Sequence, residues 1–237
     1  MTVIAALLTP GAIIIGSDTR SSRGDEIVSN DARKVWPLDS DGRIVVAHWG
    51  AATHNGIPWT VVLDEFRAPG QPKSIIEAVR PFVDHYWTHF RAGLGDVTAE
   101  RDRLISEGAD GITADEHEWL IAAGCASACS MIVGGFDPDS TPFALEIEIN
   151  IVRPAPKVAR IPIGRIVQHG HCSQSNPDDE ETDFSAVPLR QATEAIHRRV
   201  SDMIRQCART GSVACGGDVE IGVIEVDRPF ILNRYQP

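Results

Sequence analysis

The sequence has 237 residues, of which 43% are hydrophobic and 23% charged, and its formal net charge is −11. This composition is typical of a globular protein and excludes a disordered or fibrous chain, and we expect a single domain over residues 1–237. The acidic balance and the lack of any cluster of lysine and arginine argue against nucleic acid or an anionic membrane as the partner.

The cysteines and the N-terminus indicate where the protein works. The five cysteines are odd in number and irregularly spaced, which is typical of reduced thiols in a cytosol. No positively charged segment precedes the first apolar run, and Thr9-Pro10-Gly11 interrupts that run early, so it is neither a signal peptide nor a membrane span by pattern. We therefore expect a cytoplasmic protein whose mature chain begins at residue 1 or 2.

The first predicted elements are two short apolar runs, 3–8 and 12–16, joined by Pro10-Gly11. This dipeptide suits the two central positions of a type II turn, and the pattern predicts a β-hairpin. Because the runs are continuously apolar, both faces of the hairpin are predicted to be covered. A second strand pair is predicted at 34–38 and 43–47.

Helical patterns follow, and then strands return. Pro58 suits the first position of a helix that runs to about Arg67, and Ser74 with Glu77 forms a capping-box pair before a second amphipathic helix. The stretch 96–118 is acidic and is predicted to lie on the surface. Further strands are predicted at 130–135, 143–149, 157–165, 219–226 and 230–232, with a helix at 188–209.

The order of these elements predicts the fold class. Strands, two helices, strands, one helix and strands are segregated rather than alternating, which indicates an α+β fold with antiparallel sheets. Buried strands at both ends of the chain indicate two stacked sheets. We therefore expect a four-layer αββα sandwich of two antiparallel sheets with helices outside.

Thr2, directly after the initiator methionine, is the first candidate for chemistry. A threonine hydroxyl is a poor nucleophile until a base takes its proton, and the chain's own α-amine, with a pKa of roughly 7.7–8.0, can be that base if Met1 is removed. Such a site needs a cation and a carboxylate nearby, which Lys34 and Asp18 can supply. Counting outward from Pro10-Gly11 predicts that Asp18 lies opposite Thr2.

Several segments resemble proteasome β-subunits and their bacterial relatives, the N-terminal-nucleophile threonine proteases. They are Thr2, the stretch GSDTRSSRGDEIVSNDARKVWPL at 16–38, HWGAAT from His48, IVGGFDPDSTPFALEIE from Ile132, and CGGDVEIGVIEVD from Cys215. The resemblance implies an N-terminal-nucleophile hydrolase that cleaves peptide or amide bonds without a cofactor. It also implies a homo-oligomeric ring, whereas an ATPase or other activator is not specified by the sequence.

The resemblance also implies roles for individual residues. Thr2 is the nucleophile, Lys34 lowers the pKa of its hydroxyl, Asp18 orients Lys34, and the backbone N–H of Gly50 stabilises the oxyanion. The expected substrate pocket and the positions that depart from the family pattern are longer sets. The pocket is expected at Ser21, Ala32, Trp36 and Val46, and Ser173, Ser212 and Cys215 stand where the family has its supporting residues.

Two alternatives remain open at the level of sequence. The same residues could serve a small-molecule amidohydrolase in an open oligomer, or survive in a catalytically silent ring or scaffold subunit. His169, His171 and Cys172 are potential zinc ligands, but no further pair at the usual spacing completes a set of four, and we expect no metal.

Overall fold

The computed structural model of the protein contains fourteen strands and two longer helices in the part of the chain that it describes. The described residues are 2–23, 25–39, 41–50, 53–54, 57–66, 83–85, 87–88, 99–100, 102–104, 106–107, 111, 113, 115–116, 118, 129–149, 155–170 and 182–237. The strands are β1 (Ile4–Leu8), β2 (Ala12–Asp18), β3 (Ser21–Arg23), β4 (Glu26–Ser29), β5 (Val35–Pro37), β6 (Ile44–Gly50), β7 (Thr53–His54), β8 (Ile57–Pro58), β9 (Cys129–Phe136), β10 (Pro142–Ile149), β11 (Lys157–Arg160), β12 (Ile166–His169), β13 (Val219–Glu225) and β14 (Arg228–Tyr235). The helices are α1 (Trp59–Phe66) and α2 (Leu189–Arg209).

Two five-stranded sheets form the body of the molecule. The first sheet has the order β12-β1-β2-β13-β14 and the second has the order β11-β10-β9-β6-β5, and every neighbouring pair is antiparallel. Two small two-stranded sheets, β3-β4 and β7-β8, lie outside them. The prediction of antiparallel sheets is confirmed.

The first hairpin is confirmed, but its turn differs from the predicted type. Every residue of β1 and β2 is buried, as the continuous apolar pattern predicted. Gly11 does not adopt a positive φ, which a type II turn requires. The turn is closed instead by Thr9, whose amide donates to the Ala12 carbonyl at 2.8 Å and whose Oγ1 accepts the Ala12 amide at 2.9 Å.

The core lies in three layers, which follow from strand alternation. Between the sheets, side chains such as Ile4 and Ile15 of the first sheet meet Val45 and Ile132 of the second. On the other face of the first sheet, Val3, Ile14 and Ile221 pack against Ile196 and Val200 of α2. The outer face of the second sheet packs against α1 through Trp59 and Leu63, and Val83 joins that cluster.

This layering agrees with two stacked sheets that carry a helix on each outer face. The predicted helix after Ser74 lies largely outside the described residues, although 83–85 and 87–88 are helical. The complete outer layer over the second sheet therefore stays a prediction. No helix in the described part of the chain combines the length and the apolar character needed to cross a membrane.

One predicted strand is wrong. The pattern at 157–165 predicted a single strand, whereas β11 ends at Arg160 and the chain crosses from the second sheet to the first before β12 begins. Pro162 has no N–H to donate to a ladder, and Gly164 adopts φ +79°, so this segment turns where an extended strand would continue. The α2 helix and strands β9, β10, β13 and β14 lie close to their predicted positions.

Candidate active site

The hairpin places Asp18 one residue away from its predicted partner. Ile4 lies opposite Ser17 and Leu8 opposite Ile13, so Asp18 lies opposite Val3 and not Thr2. Asp18 donates its amide to the Val3 carbonyl at 3.3 Å, and its Oδ1 accepts the Val3 amide at 2.9 Å. The predicted register is therefore off by one residue: Thr9 and Ala12 close the two-residue Pro10-Gly11 turn, and counting back from that pair brings Val3, not Thr2, opposite Asp18. Asp18 still lies beside the residue next to Thr2.

The Asp18 carboxylate is completely buried and is fixed by three donors. Besides the Val3 amide, Oδ1 accepts a hydrogen bond from Lys34 Nζ at 2.6 Å, and Oδ2 accepts the Gly216 amide at 3.0 Å. A buried carboxylate with several charged and backbone donors is compensated for its loss of water. The three donors come from the residue before β1, the residue before β5 and the loop before β13, so the carboxylate joins three separate parts of the chain.

Lys34 brings a positive charge into this buried position. Only 6% of the residue is exposed, and the carbonyl of Lys34 accepts the His48 amide at 3.2 Å, which fixes its backbone beside β6. Burial lowers the pKa of Lys34 below its usual value, and electrostatic interactions with Asp18, Cys215 and Glu220 oppose that lowering. A perturbed lysine pKa of this kind is common at functional sites, where such a group can tune a nucleophile.

Gly170 lies close to the backbone of Thr2. Thr2 is half-buried, and Gly170, at the end of β12, packs against it with φ +149°. A Cβ at Gly170 would lie 3.0 Å from the Thr2 carbonyl oxygen and 3.2 Å from Val3 Cα. Glycine at this position therefore allows two segments of the chain to approach closely beside the candidate nucleophile.

Two further glycines lie in the loop whose backbone contacts Asp18. Gly216 and Gly217 adopt φ +156° and +74°, conformations that side chains disfavour. The Gly216 carbonyl accepts the Arg20 amide at 3.0 Å, and the Arg20 guanidinium donates to Asn30 Oδ1 at 2.8 Å and to the Cys215 carbonyl at 3.2 Å. Arg20 thus holds the loop that presents the Gly216 amide to Asp18.

The residues expected in the substrate pocket occupy two different environments. Ser21 lies opposite Ser29 in the β3–β4 hairpin, and the Ala32 amide donates to the Thr19 carbonyl at 2.7 Å. Trp36 and Val46 lie opposite each other in β5 and β6. Val46 is fully buried in the core beneath α1, and the half-buried Trp36 donates its Nε1–H to the Arg33 carbonyl at 3.2 Å.

The structure describes the oxyanion candidate, Gly50, and two of the three expected supporting residues, Cys215 and Ser212. Gly50 ends β6, is exposed and has φ +93°. Cys215 is buried, with its Sγ 3.7 Å from the Met203 carbonyl, and Ser212 accepts the Ala214 amide at 3.2 Å in the turn that follows α2. Ser173 lies outside the described residues.

One polar cluster near Thr2 was not predicted from the sequence. His169, opposite Ile4 in β12, has its Nε2 3.0 Å from Glu146 Oε1 of β10 and stacks on Trp49 with ring centroids 4.4 Å apart. The bond to His169 lowers the pKa of Glu146. Neither residue lies near the other in sequence, so only the pairing of β12 with β1 could have shown that the cluster exists.

Metal ligands are not grouped in the described part of the chain. Among those residues no three His, Cys, Asp or Glu side chains are placed to hold a metal ion. His171 and Cys172, which were weighed as zinc ligands, lie outside the described residues. Cys129, Cys207 and Cys215 are buried and are not joined in disulfides among the described residues.

Comparison with known proteins connects this arrangement to one kind of fold. The chain is similar to the solved structure of Anbu from Hyphomicrobium sp. strain MC1, in a mutant form, with 13% identity, a TM-score of 0.63, and coverage of 100% of this chain and 87% of that chain. It is also similar to Anbu from Yersinia bercovieri, described as an ancestral β-subunit, with 14% identity, a TM-score of 0.59 and the same coverage. No family model matches the chain, and no curated protein matches it by sequence. These likenesses show a shared fold.

Proposed function

We propose that this chain is a proteasome-like threonine hydrolase that cleaves peptide or amide bonds with Thr2 as its N-terminal nucleophile. The observation that carries the proposal is the buried Lys34–Asp18 pair at 2.6 Å, bonded through Asp18 Oδ1 to the amide of Val3, the residue that follows Thr2. The likeness in fold to Anbu, one structure of which is described as an ancestral β-subunit, supports the same assignment.

In the proposed reaction, removal of Met1 leaves the α-amine on Thr2. The amine, through a water molecule, takes the proton of the Thr2 hydroxyl while Oγ1 attacks the substrate carbonyl carbon. The carbonyl oxygen becomes an oxyanion, which the Gly50 N–H stabilises. The C–N bond then breaks, the leaving amine takes the proton, and an acyl ester remains on Thr2. Water hydrolyses that ester and restores the hydroxyl.

Lys34 and Asp18 act electrostatically in this scheme. The Lys34 ammonium favours the anionic form of the Thr2 oxygen and so lowers the cost of deprotonating it. The cost of burying the ammonium is offset by Asp18, which also fixes its position. A side chain that was free to rotate would not supply a preorganised charge.

The proposal extends to the whole chain and its assembly. Residues 1–237 form a single domain, and the helical residues over the second sheet complete an αββα sandwich. The substrate is a peptide or another amide, no cofactor takes part, and the enzyme works as a homo-oligomeric ring in the cytoplasm. The alternatives of the same fold are a small-molecule amidohydrolase and a catalytically silent subunit.

Peptide-map mass spectrometry after incubation with a peptide epoxyketone tests the proposal. This reagent must engage a threonine hydroxyl and a free α-amine on one residue, so an adduct on Thr2 shows both that Met1 is absent and that the hydroxyl is activated. Thr2→Ala is the control and must remain unmodified. Retention of Met1, or its absence without any adduct, contradicts the hydrolase assignment and favours the silent subunit.

Turnover then separates the two hydrolases. An unfolded protein such as casein and a set of short amides are incubated with the enzyme whose Thr2 forms the adduct. Cleavage of casein supports the protease. Turnover confined to the short amides favours the small-molecule amidohydrolase.

A further inference from the structure

Glu220 is a buried carboxylate that the proposed reaction does not use. It is 1% exposed in β13, where it lies directly opposite Ser17 of β2 and Arg234 of β14. Its Oε1 accepts a hydrogen bond from Arg234 at 2.6 Å, whereas its Oε2 has no hydrogen-bond partner among the described residues. An isolated buried carboxylate is costly, so a charge kept in this place calls for an explanation.

Strand geometry directs Glu220 towards the part of the molecule that carries Lys34. Val219 and Ile221 pack against α2, so alternation turns Glu220 to the opposite face, which meets the second sheet. On that same face, a Cβ at Gly222 would lie 3.0 Å from Val35 Cγ1. Because Val35 follows Lys34 directly, the start of β5 crosses β13 within two residues of Glu220.

Arg234 connects Glu220 to the segment that leads into Lys34. Besides Glu220, its guanidinium binds the carboxylate of Asp31, three residues before Lys34. One side chain of the last strand therefore holds both the buried carboxylate and the chain that positions the lysine. The bonds to Glu220 and Asp31 raise the pKa of Arg234.

We propose that Glu220 is a positioning residue for Lys34: its buried carboxylate supplies a second negative charge, besides Asp18, that keeps the Lys34 ammonium in place, and Arg234 holds that carboxylate. The inference rests on the proposed function only in taking Lys34 as the cation that activates Thr2. Asp18 from β2, Cys215 from the loop before β13 and Glu220 from β13 are the groups that raise the pKa of Lys34 against the effect of its burial.

The charge balance explains why Glu220 is tolerated in the interior. Two buried carboxylates, Asp18 and Glu220, are set against the Lys34 ammonium and the Arg234 guanidinium, of which Arg234 is 41% exposed. When the Glu220 charge is lost, only the Asp18 carboxylate still favours the charged form of Lys34, whereas the burial that disfavours it is unchanged. The ammonium then gives up its proton at a lower pH.

Lysine-selective NMR measures this effect without any need for catalysis. The sequence contains three lysines, Lys34, Lys73 and Lys157, so ¹³C-lysine labelling yields a spectrum that Lys73→Arg and Lys157→Arg variants assign. We expect the Lys34 resonance to titrate at a lower pH in Glu220→Gln than in the wild type. The matched control is Glu225→Gln in the same strand, whose partner is the exposed Arg228 at 3.3 Å, and Lys34 should titrate there as in the wild type.

A second variant covers the case in which Glu220→Gln does not fold. The double variant E220Q/R234M removes the whole pair and leaves no uncompensated charge in the interior. The Lys34 titration should again move to lower pH, because the buried carboxylate acts on Lys34 more strongly than the half-exposed guanidinium. Of these two variants, those that fold are measured. If Lys34 titrates in them as it does in the wild type, the proposal is overturned.

Activity measurements keep this inference separate from the proposed function. If both hold, the basic limb of the kcat profile moves to lower pH in Glu220→Gln while KM is preserved. A shifted Lys34 titration without an epoxyketone adduct on wild-type Thr2 supports Glu220 as the positioning residue and contradicts the hydrolase. An adduct on Thr2 with an unshifted Lys34 titration supports the hydrolase and overturns the role of Glu220.

Discussion

Asp18 and Lys34 join the two sheets through a buried ion pair with a separation of 2.6 Å. Asp18 ends β2 in the first sheet, and Lys34 immediately precedes β5 at the edge of the second. The pair is therefore both part of the candidate site and a connection across the core. Its removal is expected to affect stability as well as chemistry.

We expect Asp18→Ala to lower the free energy of unfolding by about 3–5 kcal/mol, because it leaves the Lys34 ammonium buried without its partner. Urea unfolding followed by circular dichroism measures the change. Glu194→Ala is the control, since its pair with Arg190 at 2.8 Å is exposed to solvent and should contribute little to stability. If both variants lose the same free energy of unfolding, the buried pair stabilises the protein no more than the exposed pair does.

Thr2→Ala should abolish turnover and leave the fold and the oligomer unchanged, because Thr2 is half-buried and lies before β1 begins. Thr2→Ser keeps a hydroxyl next to the α-amine and should retain part of the activity. Turnover of a peptide amide and size-exclusion chromatography measure the two properties. Wild-type turnover by Thr2→Ala rules out the mechanism.

The lowered pKa of Lys34 predicts how stability and activity depend on pH. Since the folded value lies below that of the unfolded chain, the unfolded state binds more protons between the two values, and stability from this group rises with pH across that window. The rate, which needs the ammonium, falls in the same window. Lys34→Ala should lose activity even where it remains folded.

The test for stability compares free energies of unfolding at pH values from about 8 up to about 10.5, which is close to the usual pKa of lysine. The double variant D18N/K34M lacks both charges and should lose the rise that the wild type shows. The double variant E148Q/K157M, which removes an exposed pair at 3.4 Å, is the matched control and should keep it. The same slope in all three proteins would contradict a lowered pKa for Lys34.

Local pattern predicted much of this fold, and the failures have physical causes. The buried hairpin, the second strand pair and α2 follow from apolar runs and helical spacing, which are properties of neighbouring residues. The split of 157–165 into β11 and a crossing to β12 depends on which sheet each end joins, and sequence spacing does not contain that information. The one-residue error in the register of Asp18 lies in the counting from the turn, since Thr9 and Ala12 close it and this pair already sets Val3 opposite Asp18.

For the site, sequence reasoning identified Asp18 and Lys34 as partners and missed the groups that surround them. Glu220 lies far from Lys34 in sequence, and the pairing of β13 with β2 brings it next to Ser17, beside Asp18. The same holds for His169 and Glu146, which belong to different sheets. Long-range pairing of strands decides such contacts.

Gly217→Ala should destabilise the protein by about 1–3 kcal/mol, through positive φ and overpacking. Gly217 has φ +74°, and a Cβ there would meet Thr19 Oγ1 and lie 2.9 Å from the Asn30 carbonyl oxygen. Because the neighbouring Gly216 amide binds Asp18, activity should fall as well. Gly11→Ala, where a Cβ meets nothing within 4 Å, is the control and should be neutral or slightly stabilising in the same thermal unfolding assay. Equal melting temperatures for the two variants would contradict the strain.

Glu146 makes the stability at acid pH depend on His169. The bond to His169 lowers the folded pKa of Glu146 below its usual value of 4.5, so its contribution is present above that value and is lost as the pH falls through the folded one. Glu146→Gln should therefore unfold with a shallower loss of stability below about pH 5 than the wild type. Glu148→Gln on the same strand, whose partner Lys157 is exposed at 3.4 Å, serves as the control and should follow the wild-type curve. If the stability of Glu146→Gln depends on pH as that of the wild type does, the contact with His169 does not stabilise the charged form of Glu146.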